Sequence, residues 1–161
     1  MNPVVQLDRT GCAIASVAAM MGMSYPDMKS LARSLGVTPE DNALWTSTSS
    51  IRTLLAHVGV KAGPEELPFT TWERLPDLAL LAIKWKIQDG NPSWHWVVFV
   101  REDRGPVVLD SKKGLRTNVR RDFGRMRPKW YIPVDVERVF REDTGKRTGP
   151  GFSGTPDDIR A

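Results

Sequence analysis

Residues 78–102, LALLAIKWKIQDGNPSWHWVVFVRE, admit two readings. The first ten are rich in Leu and Ala and suit a helix by propensity alone. The later residues do not. The segment 89–93, DGNPS, is a turn sequence, and the run from Trp94 to Glu102 is dominated by aromatic and β-branched residues that favour a pleated, half-buried surface. We therefore read both runs as strands. Downstream, EDRGP (102–106) marks another turn, VVLDS (107–111) a further strand and KWYIPV (129–134) a last one.

Upstream the pattern is helical. Residues 12–21, CAIASVAAMM, contain no proline and end at Gly22, which predicts a buried helix starting at Gly11 or Cys12. In SYPDMKSLARSLG (24–36), Ser24 is a candidate N-cap, Pro26 lies in the first turn and Asp27 takes the capping-box position. Met28, Leu31 and Leu35 form the apolar stripe, and Gly36 ends the helix. A third helix is signalled in STSSIRTLLAHVG (47–59) by Ile51, Leu54, Leu55 and Val58 at spacings of three and four. PEELPF (64–69) reads as a connector. Helices first and an antiparallel sheet after them argue an α+β fold.

The chain has 161 residues, 40% of them hydrophobic and six of them tryptophan, enough for one domain with a sizeable core. We place that domain at 1–136 and read 137–161, polar and repeatedly broken by Gly and Pro, as a flexible tail. One cysteine excludes an internal disulfide framework. The longest apolar runs fall short of the roughly 20 residues that span a bilayer, and the N-terminus lacks the basic segment of a secretory signal. The expectation is a soluble, cytoplasmic protein without a membrane span, with export by a route lacking a signal peptide left open. The net charge is +4, yet between Lys112 and Lys129 eight basic side chains face one acidic residue, Asp122. This strip, 112–129, is either a solvated loop or a surface for an acidic partner or nucleic acid.

Four residues could carry chemistry. Cys12 stands behind Gly11 at the mouth of the first helix, where unpaired N–H groups and the helix dipole favour a negative charge, so a thiol there is suited to act as a thiolate nucleophile. On position alone a packed small hydrophobe is the commoner fate of a free cysteine. Attack on an amide or thioester carbonyl produces an oxyanion, and the Gln6 side-chain amide with the Cys12 backbone N–H can supply its donors. Of the two histidines, His57 falls at a helix C-terminus and fits a capping or surface role. His95 opens the strand HWVVFV, where it can be held rigidly with one nitrogen reaching a cleft. If that strand pairs with VVLDS across EDRGP, Asp110 lies near the same end of the sheet and can accept the imidazole N–H. One cysteine and two separated histidines offer no zinc spacing, and no glycine-rich phosphate loop precedes a helix, so no metal or cofactor is expected.

Taken together, QLDRTGCAIASVAAM (6–20), HWVVFV (95–100) and VVLDS (107–111) resemble the papain-like cysteine peptidase superfamily, most closely its bacterial double-glycine (bacteriocin-processing) peptidase branch. MSYPDMKSLARSLG and STSSIRTLLAHVGVKA look like the two helices between those motifs. The resemblance covers roughly residues 3 to 134. It implies a papain-like architecture with the nucleophile helix first, Cys12 as nucleophile, His95 as base and then acid, Asp110 as its orienter and Gln6 in the oxyanion hole. Ser111 stands where that branch often has proline.

The function expected is a cysteine-dependent peptidase or amidase acting on a peptide or protein substrate through an acyl-enzyme. A housekeeping enzyme and a bacterial effector would carry the same residues. The same triad would serve a deamidase or an acyltransferase. A reading of another class is a non-catalytic module binding an acidic partner or nucleic acid through residues 112–131, where Trp130 and Tyr131 interleave with the basic side chains.

Overall fold

Helices do come first in the structure, a computed structural model that describes residues 1–135. They are α1 (Cys12–Met21), α2 (Tyr25–Ser34), the one-turn α3 (Ala43–Thr46) and α4 (Ser49–His57). Strands β1 (Leu67–Pro68), β2 (Leu78–Gln88), β3 (Asn91–Glu102), β4 (Gly105–Leu109) and β5 (Val119–Arg120) come next, then a short helix α5 (Phe123–Met126) and β6 (Trp130–Pro133). The strands form one antiparallel sheet in the order β1-β6-β2-β3-β4-β5. The fold is α+β. The expected tail, 137–161, lies outside the described residues.

The ambiguous run of residues 78–83 is β2, and its unbroken hydrophobicity has a physical cause. Leu78, Leu80 and Ala82 pack with Trp96 and Val98 into the core shared with α1, α2 and α4, whereas Ala79, Leu81 and Ile83 pack with Val97 and Phe99 into a second cluster. Trp72 and Phe123 pack against that second cluster. A strand covered on both faces shows no polar alternation, which is why it mimics a buried helix in sequence.

The β2–β3 turn is tighter than the five-residue turn expected from DGNPS. Asp89 and Gly90 both adopt positive φ, 51° and 78°, the backbone of a two-residue hairpin turn. Asn91, Pro92 and Ser93 are thereby freed to pair with Gln88, Ile87 and Lys86. Pro92 is tolerated because β4 pairs with β3 only from Val98 onwards.

Other differences are local. Leu67 and Pro68, within the expected connector, pair with Tyr131 and Trp130 as an edge strand. The two four-residue helices are too short to leave a periodic signature. In α2 the expected cap is present, with the Asp27 backbone N–H donating to Ser24 Oγ at 3.2 Å.

Beyond Ile83 the β2–β3 hairpin leaves the sheet, since β6 pairs with β2 only over Ala79–Ala82. Ile83 faces His95 and Lys86 faces Ser93, so Lys84 and Trp85 together oppose Trp94 alone. This bulge puts Lys84 at φ 53°, a left-handed conformation that a lysine adopts only at a cost of about 1 kcal/mol. It also sends the hairpin out as an arm.

Candidate functional site

The segment leading into α1 is fixed from three directions. The Gln6 backbone N–H donates to the Ser111 carbonyl (2.9 Å), and Ser111 Oγ donates to Gln6 Oε1 (2.8 Å). With its oxygen held this way, Gln6 turns Nε2 to the carbonyls of Asp8 (2.9 Å) and Arg9 (2.8 Å). Tyr25 Oη donates to Asp8 Oδ2 at 2.6 Å and Lys29 Nζ to Asp8 Oδ1 at 3.0 Å. The Tyr25 and Lys29 bonds hold the Asp8 carboxyl below the usual range. Gly11 is required by this packing: a Cβ there would stand 2.0 Å from Tyr25 Oη.

Cys12 is the first residue of α1, and Gly11 provides no side-chain cap. The N–H groups of a helix's first turn lack intrahelical acceptors, so the Cys12 end presents free donors and the positive end of the helix dipole. The thiol is buried, 5% exposed.

His95 meets this thiol from β3. Its Nε2 is 2.7 Å from Asp110 Oδ1, and the ring and Cys12 line the same cleft. Burial alone would hold the imidazole below its usual 6.5, but the Asp110 hydrogen bond and the hydrogen bond and charge of Cys12 outweigh it and raise it to about 9. A neighbouring anion favours the imidazolium, so the ring is held in its protonated form at neutral pH.

Asp110 stands directly after β4 and its side chain is fully buried. Oδ1 also accepts the Lys112 backbone N–H at 3.0 Å, and Oδ2 accepts Arg120 Nη1 at 2.9 Å. Burial opposes its charge, yet His95, the Lys112 N–H and Arg120 hold the carboxyl well below the usual carboxylate range. Arg120 in turn is clamped by Asp122, Nε to Oδ1 at 3.0 Å and Nη2 to Oδ2 at 2.7 Å. The loop between Asp110 and β5 is closed by Asn118, whose Nδ2 donates to the carbonyls of Asp110 and Lys112.

Cys12 and His95 open onto a cleft of about 500 Å³. One wall is the hairpin arm with Lys84 and Lys86; Arg9, Trp45 and Trp94 line the remainder. Among the described residues no group of His, Cys, Asp or Glu is arranged to hold a metal ion, and no helix is long and apolar enough to cross a membrane.

Of the residues singled out from sequence, His95 and Asp110 are hydrogen-bonded, and Cys12 lines the same cleft as His95. Gln6 lies in the loop preceding Cys12 with both amide hydrogens donated to backbone carbonyls. His57, at the end of α4, is exposed and away from the cleft. Arg120, Ser111, Asp8 and Tyr25 were not legible as site residues. The basic strip is only partly free: Arg120 binds Asp110 and Asp122, Lys129 lies over the Trp85 ring at 4.9 Å, and Trp130 stacks edge-on with Trp94 and Trp96. Arg116, Arg121, Arg125 and Arg127 remain exposed.

Arg120 neutralises Asp110 from the side opposite His95, so its removal has a definite sign. Arg120→Met is expected to raise the His95 titration midpoint further, because the imidazolium is then the one cation bonded to Asp110, and to lower stability by about 2 kcal/mol. A histidine NMR titration together with urea unfolding measures both.

Compared with known proteins, the chain matches no family model and no curated protein.

Proposed function

We propose that the protein is a thiol hydrolase of papain-like architecture that cleaves peptide or amide bonds through an acyl-enzyme. The observation that carries this reading is the chain of contacts from buried Asp110 through His95 to a cysteine at an uncapped helix start, beside an open cleft. His95 accepts the Cys12 proton, and the thiolate attacks the carbonyl carbon. The resulting oxyanion is met by the Cys12 backbone N–H and by Gln6 Nε2, once one amide hydrogen leaves the Asp8 or Arg9 carbonyl. His95 then protonates the leaving amine, and water attacks the thioester with His95 as base. Asp110 keeps the ring in the tautomer that presents Nδ1 to the thiol. An amine in place of that water would give acyl transfer on the same residues, and a side-chain amide as substrate would give deamidation.

An activated ester tests the reading without a known substrate. Incubation with p-nitrophenyl acetate is expected to give a burst of p-nitrophenol and one acetyl group on Cys12 by intact mass, both lost in Cys12→Ala. Equal release by Cys12→Ala, with no acetylated protein in wild type, would sink it.

A further inference from the structure

The cleft wall beside Cys12 and His95 carries Lys84, Lys86 and Arg9, and no carboxylate is among its lining residues. None of these three cations makes an ion pair within the described residues. Asp110 is buried and already bonded to His95 and to Arg120. A solvated face normally intersperses acids among its bases. Here the bases gather on a concave surface.

The backbone explains why Lys84 belongs to that wall. The bulge at Lys84 and Trp85 lifts the hairpin out of the sheet and holds Lys84 at φ 53°. Strain of this kind persists where the surrounding structure fixes it, often beside a binding site. Residues 84, 86 and 88 then line the cleft, while Trp85 and Ile87 are exposed outside it. Burial and the neighbouring Lys112 ammonium lower the pKa of Lys84, outweighing the opposing charge of Asp110. Two ammonium groups in proximity are relieved by an anion between them.

We propose that the substrate carries a carboxylate beside the scissile bond and that Lys84 and Lys86 on the hairpin arm, with Arg9 opposite, bind it. The proposal rests on the thiol-hydrolase reading and names its substrate class. A lysine recognises a carboxylate as a point charge and does not require one fixed geometry. The carboxylate comes either from an Asp or Glu side chain or from a chain terminus.

Iodoacetate and iodoacetamide differ little in size and by one negative charge, so the ratio of their rates at Cys12 reads the field of the wall and cancels general changes in thiol reactivity. In Lys84→Met/Lys86→Met the iodoacetate to iodoacetamide ratio is expected to fall on the order of fivefold, and the fall should shrink at high salt. Lys61→Met, a charge removed elsewhere on the surface, should leave the ratio in place. Two peptides locate the carboxylate by protecting wild-type Cys12 from iodoacetamide. Protection by an end-blocked glutamyl peptide assigns it to a side chain, and protection by a neutral peptide with a free C-terminus assigns it to the chain end. A ratio unmoved in the double lysine variant, an equal fall in Lys61→Met, or protection by neither peptide overturns the proposal. Failure of the underlying hydrolase reading looks different: iodoacetamide then alkylates wild type no faster than His95→Ala.

Discussion

Asp110→Ala is expected to be the most damaging single substitution, lowering stability by about 4 kcal/mol and slowing acetylation of Cys12 by about a thousandfold. Both effects arise from one carboxylate with three partners. Its side chain is fully buried, and its loss strands the His95 imidazole and removes the buried one of Arg120's two acids. Breaking a buried pair from one side leaves the other charge without compensation, which costs more than the pair contributed. The kinetic effect has a separate origin: without an acceptor at Nε2 the imidazole is free to rotate and to take the other tautomer. The His95 midpoint should drop below about 9, since burial is then opposed by Cys12 alone. Urea unfolding, a histidine NMR titration and the p-nitrophenol burst give the three readouts. A variant with wild-type stability and burst rate would show that Asp110 has no part in either role.

The second large effect is on the pH dependence of stability. His95 has a folded-state pKa of about 9 against an ordinary value of 6.5. A group whose pKa is raised on folding contributes stability that is present in full below the unfolded value and is lost as pH rises through the folded one. The window here runs from about 6.5 to about 9, and the contribution amounts to about 3 kcal/mol. Subtracting the unfolding free energy of His95→Phe from that of wild type between pH 5 and 10 isolates it. The difference should be constant up to about pH 6.5 and decline to a plateau above pH 9. A flat difference would mean that folding leaves the imidazole at its ordinary pKa.

The parts of this site that sequence made legible are those anchored at the ends of strongly patterned elements. Cys12 opens a helix bounded by two glycines, and His95 and Asp110 flank a hairpin whose turn, EDRGP, is plain. Given that turn, the nearness of His95 to Asp110 is a consequence of strand pairing. Arg120 was hidden for the opposite reason. It stands in a run of basic residues where nothing local separates a solvated cation from one that neutralises a buried acid, and its partner is ten positions away across a loop that Asn118 closes. The direction of the Gln6 amide was equally out of reach, because it is set by Ser111, 105 positions distant. Position alone suggested an oxyanion donor; the hydrogen bonds commit both its hydrogens to the loop before Cys12.

The hairpin arm illustrates a further limit. The apolar and polar residues of 78–102 predicted strands correctly, yet the bulge that aims Lys84 at the cleft leaves no mark in residue type, since lysine is not a residue that favours positive φ. The bulge shows only in the pairing of Ile83 with His95 and of Lys86 with Ser93.

The central claim is that Cys12 and His95 act as one proton-sharing unit. Its most direct test is the rate of iodoacetamide alkylation of the single thiol from pH 4 to 9, in wild type and in His95→Ala. Rapid alkylation that persists below neutral pH is expected in wild type and is lost in the variant. A slow profile in both proteins, rising only near the ordinary cysteine pKa of about 8.5 and unaffected by the substitution, would contradict it.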